Sequence, residues 1–233
     1  MTIARELREA VYRANMALVE SGLVTGTFGN VSAVDRAAGL FVIKPSGVPY
    51  GALSPGAMVP VSLETGKVIE GTLRPSSDTP THLALYQAFE CGAIAHTHSE
   101  VATAFAQARL PIRCMGTTHA DYFCSDIPVT RAMTKKEVAG DYERNTGRVI
   151  IERFGDLQLD AMRTPGVLVA SHGPFAWGAD AVKAVEHAGM LEFLARLEWR
   201  VRTLAPDVPL PDDYLIDRHF ARKHGPKAYY GQR

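Results

Sequence analysis

A single-domain mixed fold, α/β or α+β, is predicted by three observations on the 233-residue chain. Apolar residues at helical spacing alternate with short apolar runs bounded by glycine and polar turns, which read as strands. The length suits one domain with a substantial core and no covalent staples. No internal repeat, low-complexity segment or linker divides the chain, so residues 1–233 read as one domain with an extended C-terminal arm from about residue 206.

The elements follow in order. Leu7, Val11, Ala14 and Leu18 share a helical face and Gly22 follows as a stop, so residues 3–21 are predicted to open the chain as an amphipathic helix. Residues 25–32 and 39–43 read as strands joined by a polar turn around Asp35, and 59–63 with 67–70 as a second hairpin across Glu64-Thr65-Gly66. Helical patterns cover 79–89, 99–108 and 134–145, with strands before or between them. A long helix is expected over 179–204, after which Pro206, Pro209 and Pro211 break the chain before a basic, aromatic tail.

Composition narrows the function. Lys+Arg and Asp+Glu are both 25, so no global field recruits nucleic acid or an anionic membrane, and an anionic ligand must be held locally. Cys91, Cys114 and Cys124 are odd in number and lack C-x-x-C spacing, which argues against a disulfide framework and a zinc ribbon. They are expected to be reduced thiols, Cys91 serving in packing. Charges among the first residues and the lack of a long apolar run lead to the expectation of a soluble cytoplasmic protein.

The chemistry concentrates in histidines. His96 and His98 close the apolar run Ala93-Ile94-Ala95, and positions i and i+2 of a strand face the same way, so one ion fits between the two imidazoles. His172 ends a second apolar run beginning at Gly166. Three nitrogen ligands with an open position describe a catalytic zinc site; the competing reading is separate buried histidines held by hydrogen bonds. Lys44-Pro45-Ser46-Gly47 at the end of a strand, Gly29-Asn30, and Ser76-Ser77 before a helix offer an ammonium, hydroxyls and backbone N–H groups that suit a phosphate. Alternatively Pro45-Ser46-Gly47 is a turn and Ser77 or Asp78 a helix cap. Asp78 has a third reading, as an oxygen ligand or a partner to the ligands. Asp121 and Glu143 are candidates for proton transfer, whereas His119, His187 and His219 read as structural. Docking onto a neighbouring subunit would give Tyr229 and Tyr230 a reason to be ordered near a terminus.

Taken together, Gly29-Asn30-Val31-Ser32, Ile43-Lys44-Pro45-Ser46-Gly47-Val48-Pro49-Tyr50, Ser76-Ser77-Asp78-Thr79-Pro80-Thr81-His82, His96-Thr97-His98-Ser99, Thr117-Thr118-His119-Ala120-Asp121 and Lys227-Ala228-Tyr229-Tyr230-Gly231 resemble the L-ribulose-5-phosphate 4-epimerases of the class II aldolase superfamily. The resemblance runs in order through nearly the whole chain. It implies an α/β/α sandwich around a mostly antiparallel sheet, in a homotetramer of four-fold symmetry with active sites between adjacent subunits. It implies Zn²⁺ held by His96, His98 and His172, joined by Asp78 at least without substrate. Gly29, Asn30, Lys44, Ser46, Gly47, Ser76 and Ser77 would line the phosphate and substrate pocket. The implied reaction interconverts L-ribulose 5-phosphate and D-xylulose 5-phosphate by retro-aldol cleavage between C3 and C4 and recombination on the other face. Asp121 and Tyr230, from the subunit adjacent to the metal, match the family's acid/base pair, with Glu143 and His219 as support.

Three rivals stand beside this reading. A class II sugar-phosphate aldolase uses the same enediolate logic but releases its fragments; such aldolases carry Glu at the place of Asp78 and lack the 227–231 tail. A noncatalytic module like the adducin head would have no need of the three histidines. A zinc hydrolase fits the histidines but not the other motifs. Arabinose and ascorbate catabolism use the same epimerisation, so the sequence leaves the pathway open.

Overall fold

Alternation of side chains along short strands sets the architecture, because each strand carries apolar residues on both faces. The computed structural model describes residues 4–230. Ile3, at the expected start of the opening helix, and Gly231, at the end of the aromatic tail, lie outside them.

Six strands, β1 (Asn30–Asp35), β2 (Leu40–Ile43), β3 (Val59–Ser62), β4 (Ala93–His96), β5 (Gly166–Leu168) and β6 (Pro174–Gly178), form one sheet in the order β3-β2-β1-β4-β6-β5. Every neighbouring pair is antiparallel. Val31, Ala33, Leu40, Val42, Ala93, Ala95 and Ala176 pack on one face beneath α1 (Arg5–Glu20) and α7 (Ala181–Leu204). Phe41, Ile43, Ile94, Phe175 and Trp177 pack on the other with α2 (Thr79–Ala88) and α6 (Tyr142–Asp156). This period of two produces the expected α/β/α sandwich.

Small residues face α1 and α7, large ones face α2 and α6. The fully buried Trp177 donates its indole N–H to the Ala161 carbonyl at 2.7 Å, so its one polar atom is satisfied inside the core. Asn15 clips α1 to β1 in both directions, donating to the Val31 carbonyl at 3.0 Å and accepting from its N–H at 2.9 Å.

Several boundaries depart from the sequence reading. Residues 25–29 are turns rather than strand, because Gly26 and Gly29 both take positive φ, and β1 begins only at Asn30. The return of the second hairpin reduces to one bridge between Val61 and Val68. The predicted helix 134–145 is two helices, α5 (Lys135–Ala139) with a Thr134–Glu137 capping box and α6, separated by Gly140 and Asp141. The predicted helix stops where α6 buries Asn145, Thr146 and Gly147, which carry no apolar signal, whereas α6 continues through the buried Val149, Ile150 and Phe154. Short helices α3 (Glu100–Ala108) and α4 (Thr117–Ala120) complete the order up to the C-terminal region. The C-terminal arm carries helix α8 (Asp213–His224), which packs beside α4 of the same chain through Asp121. No helix among the described residues is long and apolar enough to cross a membrane.

Candidate metal centre and active site

The beginnings of β1 and β6 and the ends of β2 and β4 meet at one end of the sheet, where Asn30 pairs with His96 and His96 with Phe175. Strand direction thereby delivers Asn30, Lys44, His96 and the β5–β6 turn bearing His172 to one place. Two glycines permit the close packing. A Cβ on Gly29, whose φ is +96°, would stand 3.1 Å from the His96 carbonyl oxygen, and one on Gly173 would stand 2.9 Å from that of Thr97. Behind the histidines, α3 has no side-chain cap of its own from Ser99. The Glu192 carboxylate of α7 instead accepts the N–H groups of Val101 and Ala102, fastening the helix that follows His98.

One candidate ligand atom from each of His96, His98 and His172 lies within 4.8 Å of the other two. His96 Nδ1 donates to the Pro174 carbonyl at 2.9 Å, which leaves Nε2 as the bare nitrogen, 3.1 Å from Nε2 of His98. Phe175 stacks on His96 at 4.1 Å between centroids and Phe28 on His98 at 5.4 Å, holding both rings flat. Burial pushes His172 down to about 4, with the neighbouring His96 and His98 adding to it, and burial likewise lowers His98. Neutral imidazoles of this kind are the protonation state a metal requires.

Asp78 falls outside this compact triad but lines the same cavity, its Oδ2 accepting from the Asn30 amide at 2.7 Å. Burial would raise its carboxyl, yet His96, His82, the Asn30 amide and His172 outweigh burial and hold it below the usual carboxylate range. No side-chain capping bond from Asp78 to α2 is present. The cavity, about 360 Å³, is also lined by Gly29, Asn30, Lys44, Ser46, Gly47, Ser76, Ser77, His96, His98 and His172. Backbone pairs zip its two loops together, Ser46 N–H to the Arg74 carbonyl and Ser76 N–H to the Lys44 carbonyl, both at 2.9 Å.

Lys44 is 3 % exposed and has no carboxylate partner among the described residues; its ammonium makes one long bond, 3.4 Å, to the Pro45 carbonyl. Burial lowers its pKa. The centroid of the Tyr50 ring lies 4.8 Å from the ammonium, so a cation–π contact and one long bond are what this buried cation has, an arrangement that suits an anion.

The remaining sequence candidates separate. Glu143 lines the cavity. Asp121 and Tyr230 do not; they lie together, both in contact with Arg222. His119 donates Nε2–H to the Ser125 carbonyl at 2.8 Å and His187 donates Nδ1–H to that of Trp177 at 2.7 Å, the structural roles expected of them. His219 instead meets Asp121 at 3.3 Å. All three cysteines are free, Cys91 and Cys114 buried.

Phe28, Tyr142 and His82 were missed as site residues. Phe28 and Tyr142 line the cavity, the Tyr142 hydroxyl standing 3.5 Å from His172 Nδ1. His82 lies one helical turn beyond Asp78, a spacing that could have drawn attention to it, and burial drives it down to about 3, so it stays neutral against Ser32 Oγ at 2.7 Å. A larger cleft of about 620 Å³ beside α3 and α7 is mainly apolar and holds none of the three convergent histidines.

Comparisons with known proteins give the family. Residues 9–199 match the Class II Aldolase and Adducin N-terminal domain. Proteins named L-ribulose-5-phosphate 4-epimerase UlaF from Salmonella paratyphi A and Salmonella typhi are each 55% identical over 230 residues, covering 98% of this chain and 100% of theirs. An L-fuculose 1-phosphate aldolase of known structure is similar with a TM-score of 0.77 at 26% identity, over 95% of this chain and 97% of that one. The fold is also that of l-fuculose-1-phosphate aldolase from Thermus thermophilus, with a TM-score of 0.66 at 23% identity over 89% of this chain and all of the other. The chain therefore belongs to the class II aldolase and adducin N-terminal domain family, in company with the enzymes named L-ribulose-5-phosphate 4-epimerase.

Proposed function

We propose that this chain is a zinc-dependent epimerase interconverting L-ribulose 5-phosphate and D-xylulose 5-phosphate by cleaving and re-forming the C3–C4 bond. The observation that carries the reading is one cavity joining three convergent imidazoles to a buried lysine that no carboxylate among the described residues neutralises. A metal and a phosphate are thus called for in one cavity. The 55% identity to named epimerases supports the same substrate pair.

The donor set fits zinc, since three convergent imidazoles, one with its ring oriented by Pro174, leave a position open. His96, His98 and His172 would hold the ion, with Asp78 joining them in the absence of substrate. Bound there, zinc supplies Lewis acidity that stabilises negative charge developing on substrate oxygens as the carbon–carbon bond breaks.

The carbon being inverted, C4, carries no acidic hydrogen, so direct deprotonation is closed. Retro-aldol cleavage takes the proton from the C4 hydroxyl and gives glycolaldehyde phosphate with the enediolate of dihydroxyacetone. Rotation of the aldehyde and bond formation on its other face invert the centre. Lys44, Ser46, Ser76 and Ser77, with the Asn30 amide and the backbone of Gly29 and Gly47, hold the phosphate-bearing fragment so that it turns without leaving. Attack on either face needs a proton acceptor and donor on each side, the roles assigned to Asp121 and Tyr230. Because neither lines the metal cavity of its own chain, they would serve that of an adjacent subunit in a cytoplasmic homotetramer, with Glu143 and His219 in support.

The similarity to an L-fuculose 1-phosphate aldolase favours a second reading, a sugar-phosphate aldolase. Coupled detection of D-xylulose 5-phosphate from L-ribulose 5-phosphate tests the first; net release of aldehyde marks the second. An adducin-like module would purify without metal.

A further inference from the structure

Helix α8 presses one residue between the two groups assigned to proton transfer. Arg222 grips the Asp121 carboxylate with a fork, Nε to Oδ1 at 3.0 Å and Nη2 to Oδ2 at 2.6 Å. The same guanidinium lies 4.7 Å from the centroid of the Tyr230 ring. Its backbone carbonyl accepts the N–H groups of Tyr229 and Tyr230 at 3.0 and 3.2 Å, so the chain turns at Gly225 and folds back upon Arg222. One residue thus orients a carboxylate and a phenol far apart in sequence, through both its side chain and its backbone.

We propose that Arg222 is the positioning residue that couples Asp121 to Tyr230, setting the plane of the carboxylate and the place of the phenol as one unit; this role rests on the epimerase reading above. A fork to both oxygens fixes direction as well as charge, which a point charge does not. The interaction is largely sheltered, with the Asp121 side chain 14% and the Arg222 side chain 23% exposed. His219 Nδ1 approaches Oδ1 at 3.3 Å, His224 Nε2 donates to the Asp121 carbonyl at 2.9 Å, and Lys223 adds positive charge nearby. Burial would raise the Asp121 carboxyl, but the Arg222 fork and charge, His219 and Lys223 outweigh it and hold it below its ordinary range. Asp121 therefore stands ionised at neutral pH, ready to accept the hydroxyl proton while Tyr230 supplies one on the other side.

The test uses full-length, zinc-loaded wild type, Arg222→Gln and Arg222→Lys. Metal content and Tm are measured, together with kcat and KM for L-ribulose 5-phosphate over roughly pH 5 to 9. Loss of the fork is expected to lower kcat on the order of 10²-fold in Arg222→Gln, with metal content kept and KM little changed. The acid limb of kcat should move up by about one unit or more, because Asp121 loses its cationic partner. Arg222→Lys should restore the acid limb, which needs only charge, while kcat recovers only in part, which needs the fork. A merely structural salt bridge would lower Tm and leave the acid limb in place, and that result overturns the role. Should Arg222→Gln fail to fold, Arg222→Lys decides: a reduced kcat with an acid limb near wild type supports the role, and wild-type kcat overturns it. Wild type without epimerase activity overturns the reaction reading and this role with it, whereas active wild type beside an unaltered Arg222→Gln enzyme overturns the Arg222 role alone.

Discussion

His96 donates its Nδ1–H to the carbonyl of Pro174, the first residue of β6, at 2.9 Å. That bond decides which nitrogen is bare, because a carbonyl can only accept, and it turns Nε2 toward His98. The sheet register that pairs His96 with Phe175 therefore also sets the tautomer of a candidate metal ligand.

His98→Asn removes one of the three convergent nitrogens. The variant is expected to lose bound zinc and to fall at least about 10²-fold in activity, more than loss of an outer partner would cost. Metal analysis beside the assay checks it; full activity in metal-stripped protein would reject the metal role.

Lys44→Met removes the buried ammonium while keeping most of its volume. KM for the phosphosugar is expected to rise about 10- to 100-fold, the worth of a charged hydrogen bond, with metal content unchanged. An unaltered KM would count against the proposed phosphate pocket.

Tyr230→Phe keeps the ring over Arg222 and deletes only the hydroxyl. We expect kcat to fall about 10²- to 10⁴-fold with zinc retained. Normal turnover would remove Tyr230 from the acid/base pair.

Gly173→Ala places a methyl group 2.9 Å from the Thr97 carbonyl oxygen, and backbone must shift to admit it. A loss of about 1–3 kcal/mol in stability is expected, with weaker metal binding because the displaced segment carries His96 and His98. Thermal unfolding and a metal titration measure the two effects; a variant matching wild type in both would show that the approach is not tight.

His119 is buried and its pKa is pushed down to about 4. The unfolded chain binds its proton near pH 6.5, so the unfolded state holds more protons below that point and stability falls with pH. The contribution is complete above about pH 6.5 and is lost as pH falls toward about 4, on the order of 3 kcal/mol in all. Denaturant unfolding of His119→Gln should show a correspondingly smaller loss over that window; an identical pH dependence would place the acid sensitivity elsewhere.

Much of the centre was legible because it is written in local spacing. His96 and His98 are two apart at a strand end, and the β4 alternation of Ala93 and Ala95 against Ile94 and His96 places the histidine on the face shared with Phe175. What escaped was set by tertiary partners. Tyr142 reaches His172 across 30 positions and Arg222 reaches Asp121 across 101, separations that no periodicity records. Helix α6 hid behind buried polar residues, and α8 within a segment that its preceding prolines made look extended.

The central claim is tested most directly by incubating zinc-loaded protein with L-ribulose 5-phosphate while D-xylulose 5-phosphate and free glycolaldehyde phosphate are followed in parallel. Accumulation of xylulose phosphate without free aldehyde is the predicted result, an epimerase that keeps its fragments. Accumulated aldehyde, or neither product, would contradict it.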